Sequence, residues 1–180
     1  MELAIHEQMP LYASGAVFVH AGVVGWQGRA LLLPGSSYTG KSTLTHALIR
    51  LGAEYYSDEY AVIQNNGELV PYRRRLTLRG ESGAESRLAI DSALSPDHES
   101  TIRLVAFCPY VQGSRWQPAE SSPGQGVLGL FSHTVTAQLS PNRDLNWLRL
   151  GSQHARFLKS ERGEAEIVAV ELLKLLEQQP

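Results

Sequence analysis

Residues 29–51 read RALLLPGSSYTGKSTLTHALIRL, and their order decides how the chain folds. The first six, Arg29–Pro34, make a short apolar run of strand length. Gly35-Ser36-Ser37-Tyr38-Thr39-Gly40-Lys41-Ser42 then fits the pattern G-x-x-x-x-G-K-[ST]. From Lys41 the spacing turns helical, with Leu44, Ala47, Leu48 and Leu51 on one face and Gly52 placed to end the helix. Strand, glycine loop and helix in this order suit a phosphate. Glycines let successive backbone N–H groups converge on phosphate oxygens, and the helix N-terminus adds its positive dipole end. In such a loop Lys41 reaches the β- and γ-phosphates and the Ser42 hydroxyl is a Mg²⁺ ligand. Gly35 through Ser42, with Thr43 behind them, are therefore the candidate nucleotide contacts.

Upstream, residues 16–24 (AVFVHAGVV) are β-branched and apolar and read as a strand, with a turn over Gly25–Gly28. So short a connection makes the two strands antiparallel, a hairpin that feeds the glycine loop. Downstream, residues 53–64 (AEYYSDEYAVIQ) read as one strand with Asp58-Glu59 in its middle. Asn66-Gly67 signals a hairpin turn between residues 61–64 and 69–72. The basic residues Arg73–Arg75 and Arg79 lead into a polar segment, 80–100, that reads as a loop with a short helix expected over Ala84–Leu94. Thr101–Val111 reads as a strand and 112–126 as a loop. Leu128, Phe131, Val135 and Leu139 mark a helix, Leu145–Gly151 a second, Phe157-Leu158 a short strand, and 164–177 an apolar C-terminal helix. The pattern predicts one α/β domain over residues 1–180 with a mixed sheet, a recognisable core over 15–80 and a helical part over 127–180.

Composition narrows the classes. Of 180 residues, 43% are hydrophobic and 19% charged, enough apolar material for a core and too much for disorder. A net charge of -2 argues against a nucleic-acid or anionic-membrane binder. No apolar run approaches the roughly 20 residues of a membrane span. The start, MELAIHEQMP, lacks the basic and apolar regions of a secretory signal, so the expected location is the cytoplasm. The lone Cys108 excludes an intramolecular disulfide framework and a cysteine-rich zinc site. There are three lysines against thirteen arginines, and one of the three stands in the glycine loop.

Three further positions carry candidate chemistry. Asp58 and Glu59 follow the loop helix at a strand position, where one carboxylate can hold Mg²⁺ and another accept a proton from an attacking hydroxyl. His20 lies in the first strand, whose antiparallel partner runs into the loop, which brings a near-neutral imidazole toward the phosphates. Arg79 is the candidate for a bidentate contact with phosphate or an acidic peptide.

Taken together, HAGVVGWQGRALLLPGSSYTGKSTLTHALIRLGAEYYSDEYAVI, from His20 to Ile63, resembles the HPr kinase/phosphorylase catalytic domain, whose fold is similar to phosphoenolpyruvate carboxykinase. The family pattern is a histidine, a strand, a glycine-bearing turn, a second strand, G-[DS]-S-G-x-G-K-S, a helix and a strand opening on [AS]-D-D. The resemblance covers residues 17–63 well and extends weakly to Gly80. It implies that Lys41 binds phosphate, Ser42 binds Mg²⁺, His20 belongs to the active site, and the second acid, Glu59, takes the proton of a substrate serine. Asp58 keeps the family residue and is the other candidate for that base. Tyr38 stands where the family has glycine, so its side chain either points outward or stacks near the nucleotide. Thr77 stands where an E-x-R-G motif would supply a metal-binding glutamate, leaving Glu81 or Glu85 as substitutes.

The resemblance implies an ATP- and Mg²⁺-dependent phosphotransferase acting on a hydroxyl, with serine of a protein or peptide first, and self-association as a family tendency. The family's later segment for reversing the phosphorylation has no visible counterpart, which favours kinase over phosphorylase chemistry. Two alternatives stay open: a nucleotide-binding regulatory or scaffold protein without transfer chemistry, and a small-molecule kinase.

Overall fold

The computed structural model describes residues 15–72, 75–79, 85–88 and 96–179. Its first element, β1 (Ala16–Trp26), is the strand expected from the β-branched run, and β2 (Arg29–Pro34) pairs with it antiparallel from Trp26↔Arg29 to Ala21↔Pro34. The turn is shorter than expected. Gln27 and Gly28 alone form it, both at positive φ (51° and 77°), the backbone that a two-residue hairpin requires. Gly25 stays inside β1, where the Glu54 and Tyr56 side chains leave no space for a Cβ.

Helix α1 (Lys41–Arg50) follows the glycine loop, and β3 (Glu54–Ser57) and β4 (Tyr60–Gln64) both pair antiparallel with β1. The single strand expected over 53–64 is thus broken at Asp58-Glu59. The cause is Ser57, whose hydroxyl accepts the N–H groups of Glu59 and Tyr60 at 3.0 Å each and turns the chain at the two acids before the ladder resumes at Tyr60. The register is kept across the break, since Val23 faces Ser57 and His20 faces Tyr60. The Asn66-Gly67 turn joins β4 to β5 (Leu69–Val70) as expected.

The strand β6 (Leu76–Arg79) pairs antiparallel with β7 (Glu85–Leu88). A helix was expected over Ala84–Leu94, but residues 85–88 are strand; four residues are too few for a helix when a partner ladder is at hand. The rest of that segment, together with Arg73, Arg74, Gly80 and Glu81, lies outside the described residues.

Strand β8 (Thr101–Phe107) ends four residues before the expected Val111, as Pro109 has no N–H for a ladder. It pairs parallel with β2 and with β10 (Arg156–Lys159), and the short β9 (Ala119–Glu120) pairs antiparallel with β10. The sheet order is β5-β4-β1-β2-β8-β10-β9, so the sheet is mixed, as expected.

The helix expected to run through Val135 and Leu139 is instead α2 (Pro123–Ser132), opened by a capping box between Ser122 and Gln125. It stops because the next residues are needed elsewhere. His133 O accepts the His20 N–H at 2.8 Å and Val135 N donates to Phe18 O at 3.0 Å, covering the stretch of β1 that extends beyond the end of β2. Val135 and Leu139 are left exposed. Helices α3 (Pro141–Gly151) and α4 (Ala165–Glu177) complete the chain close to their expected places.

The strands alternate faces. Leu31, Leu33, Leu104, Ala106 and Leu158 pack under α1 and α4, whereas Leu32, Val105 and Phe157 pack with Leu130 of α2 and Leu148 of α3. This makes three layers, helices on both sides of a mixed sheet. The carboxyl ends of the parallel strands β2, β8 and β10 lie together, which is where α/β sheets place their sites.

The α2 layer rests on close approach. A Cβ on Gly126 would overlap the Phe157 ring, itself 2% exposed. Gly126→Ala should therefore destabilise the protein by about 1–3 kcal/mol. Urea unfolding measures this, and an unchanged midpoint would show that α2 does not sit on Phe157.

Candidate functional site

The glycine loop leaves β2 at Pro34 and enters α1 at Lys41. Thr39 Oγ1 and Lys41 Nζ both donate to the Ser36 carbonyl oxygen, at 2.8 and 2.7 Å, and so tighten the turn. Gly40 adopts φ 81°, and a Cβ there would lie 2.5 Å from Arg162 Nη2. Tyr38 also has positive φ, 67°, and is 86% exposed, so of the two expected outcomes its ring points outward. A non-glycine residue in that backbone region costs about 1–2 kcal/mol. Ser36, Ser37 and Thr43 are exposed on the loop and the first helical turn. Burial lowers the Lys41 ammonium below the ordinary lysine value, while Glu59 and Asp58 oppose the shift.

The break between β3 and β4 turns both acids toward this loop. Asp58 is 8% exposed and accepts three hydrogen bonds, from Tyr55 Oη (2.9 Å), Thr77 N (3.1 Å) and Ser42 Oγ (3.3 Å). Glu59 lies beside His20, with 3.4 Å between Oε1 and Nε2. The other ring nitrogen of His20, Nδ1, is 2.8 Å from the Gly35 carbonyl oxygen. A carbonyl oxygen only accepts, so Nδ1 carries a hydrogen, and Nε2 faces the carboxylate, to which it donates when the ring is the imidazolium. Backbone bonds close the corner: Ala21 N donates to Glu59 O and Gly35 N to His20 O. His20, the loop, Lys41, Ser42, Asp58 and Glu59 are therefore brought into one place.

Of the remaining candidates, Arg79 ends β6 and its side chain lies outside the described residues, as does Glu81. Glu85 faces Arg79 across the β6–β7 ladder. Thr77 contributes its backbone, which fixes the Asp58 carboxylate.

Two residues enter the site unannounced by the sequence. His133, at the end of α2, has its imidazole pushed below the ordinary value by burial first, then by His20 and Lys41. It lay within a run read as continuous helix, and its place depends on β1 needing a partner. Arg162 donates to the Gly40 carbonyl oxygen at 2.7 Å across 122 residues of sequence, and no local pattern marks such a bond. A cleft of about 520 Å³ adjoins the loop, lined on the loop side by Ser36 and Thr39, on the far side by Gln125 and His133, and by Phe107 and Lys159.

Ser42 and Asp58 suit a magnesium ion in kind. They are hard oxygen donors at adjoining positions, and Mg²⁺ takes one or two protein oxygens with phosphate and water completing its shell. Among the described residues no group of three His, Cys, Asp or Glu forms a self-sufficient metal cage.

No family model matches the chain, and no curated protein matches it. The solved structure of the HPr(Ser) kinase/phosphatase from Coxiella burnetii is similar, with a TM-score of 0.52 over 89% of this chain and 88% of that one, at 13% identity. The chain therefore has an HPr kinase-like fold, a kinase-like P-loop arrangement on a mixed sheet.

His133 makes a pH test. Its folded value lies below the unfolded one, so its contribution is fully present above about pH 6.5 and is lost as pH falls through the folded value. His133→Gln should flatten the decline of the urea midpoint as pH falls below about 6.5. An unchanged slope would assign the acid sensitivity to other groups.

Proposed function

We propose that this protein is an ATP- and Mg²⁺-dependent kinase that transfers the γ-phosphoryl group to a hydroxyl, with serine of a protein or peptide as the leading acceptor. The observation that carries the reading is the contact of Ser42 Oγ with Asp58 Oδ2 next to Lys41 in the chain, with a second, more exposed carboxylate, Glu59, beside His20. A nucleotide with its Mg²⁺ brings the transferable phosphoryl group and the positive charge that offsets its oxygens.

The chain's own groups divide the remaining work. The loop N–H groups and Lys41 bind the phosphates and stabilise charge that develops on them. Ser42 and Asp58 hold the metal. Asp58 already accepts three hydrogen bonds and is nearly buried, so its carboxylate is held in place. Glu59, about one-third exposed at the mouth, then takes the acceptor hydroxyl's proton, with His20 positioning its carboxylate. The chemistry needs a base within hydrogen-bond reach of the acceptor, and Glu59 is the more exposed of the two acids. The cleft beside the loop gives an acceptor segment or small molecule a route to the same corner. We place the enzyme in the cytoplasm, acting as one catalytic domain. Among the described residues no helix is long and apolar enough to cross a membrane.

A second reading, nucleotide binding without transfer, draws on Thr77 standing where the resembling family carries a metal-binding glutamate. Labelling separates the two. With γ-labelled ATP, Mg²⁺ and lysate, the wild type should label a protein acceptor, and Lys41→Ala should lose labelling together with at least tenfold in nucleotide affinity. Glu59→Gln should keep nucleotide affinity within about threefold and lose transfer by about 10²–10⁴-fold. Nucleotide binding with no labelled product would select the second reading, and label confined to metabolites would make the acceptor a small molecule.

Asp58→Asn supplies an independent check. It should remove the Mg²⁺ dependence of ATP binding while leaving Mg²⁺-free ADP affinity close to wild type. Equal Mg²⁺ dependence in both proteins would take the metal away from Asp58.

A further inference from the structure

Arg162 is a charged residue only 1% exposed, and its guanidinium donates to two backbone oxygens: Nη2 to Gly40 O at 2.7 Å and Nη1 to Gly163 O at 2.9 Å. Taking a guanidinium out of water is unfavourable, so packing alone is a poor reason for an arginine here. Burial lowers its affinity for the proton, opposed by the Cys108 thiol, Glu164 and Tyr110. The segment that carries it is itself fastened. Arg162 N donates to Pro109 O, Val111 N donates to Arg162 O, and the Tyr110 ring lies over the guanidinium with 5.6 Å from Cζ to its centre. From the same bracket, Tyr110 N donates to Thr39 O at 3.1 Å.

The bracket therefore holds two consecutive carbonyl groups of the glycine loop, those of Thr39 and Gly40. A peptide unit is planar, with its C=O and N–H pointing in opposite directions. Fixing these two oxygens fixes the N–H groups of Gly40 and Lys41, which then point away from the bracket. Gly40 is suited to this, since its φ of 81° and the closeness of Arg162 leave no place for a side chain. We infer that Arg162 is a positioning residue for the phosphate loop, orienting the Gly40 and Lys41 amides before a nucleotide arrives and adding its buried charge behind them. The inference rests on the nucleotide-binding reading for its consequence, though the orientation of the loop is a property of the free protein. Arg162 touches no phosphate itself and acts through the loop.

Two measurements test it on the full chain. In the nucleotide-free protein, amide hydrogen exchange over residues 36–44 should be at least tenfold faster in Arg162→Met than in wild type, with β1 and β2 unchanged. In titrations with Mg²⁺·ATP, Arg162→Met should bind at least tenfold more weakly, and Arg162→Lys, which keeps the charge and can reach one carbonyl, should fall between it and wild type. Should Arg162→Met not fold, Arg162→Lys carries the test alone: a three- to tenfold weaker affinity with faster loop exchange supports the role. A folded variant with wild-type exchange over the loop, or with affinity within twofold of wild type, overturns it. If the wild type and Lys41→Ala both fail to bind Mg²⁺·ATP, the nucleotide-binding reading falls, and the exchange result alone decides whether Arg162 sets the loop's shape.

Discussion

The site depends on β1 being longer than its neighbour. Strand β2 ends at Pro34 opposite Ala21, so the first part of β1 runs on past it with one edge bare. Backbone groups on a buried edge must find partners. Those of Phe18 and His20 find them in residues 133–135, and the Gly35 N–H turns back to the His20 oxygen. The result is a corner walled by the start of the glycine loop, the end of α2 and the broken strand opposite. Each wall supplies a polar group, and none would be there if β1 and β2 ended together.

Within that corner two adjacent acids have separate surroundings. One hydroxyl, that of Ser57, marks the difference: it accepts the N–H groups of Glu59 and Tyr60 where the chain turns between β3 and β4. Asp58 is then drawn into a nest of donors from Tyr55, Ser42 and Thr77, while Glu59 faces an imidazole at the mouth. Surroundings this different give the two neighbouring carboxylates separate places, one fastened by donors in the interior and the other at the mouth of the corner.

Much of this was legible in the sequence for a specific reason. The switch from an apolar strand to 3.6-residue spacing across a glycine loop is a local signal, and the hairpin, the loop and α1 follow from it. The grouping of His20 with Asp58 and Glu59 was reachable because strand pairing converts short sequence spacings into proximity. What escaped was decided by long-range backbone bonding. The stop of α2 at Ser132 answers a need of β1, and the break after Ser57 depends on a side chain choosing the main chain over water. Arg162 escaped because its partner is a carbonyl oxygen, which every residue has and no residue type announces.

The distance in sequence between Gly40 and Arg162 also governs when the loop can take its shape. A growing chain presents the glycine motif early, but the strand that flanks β2 on its other side is 101–107, and the helix that packs with α1 is 165–177. Local helix formation at α1 can precede all of this, yet its position over the sheet cannot. Contacts this far apart close large loops and form slowly. The glycine motif thus leaves the ribosome well before it can acquire its working geometry, and a chain cut short anywhere before Arg162 would carry the phosphate-loop sequence without the bond that braces it.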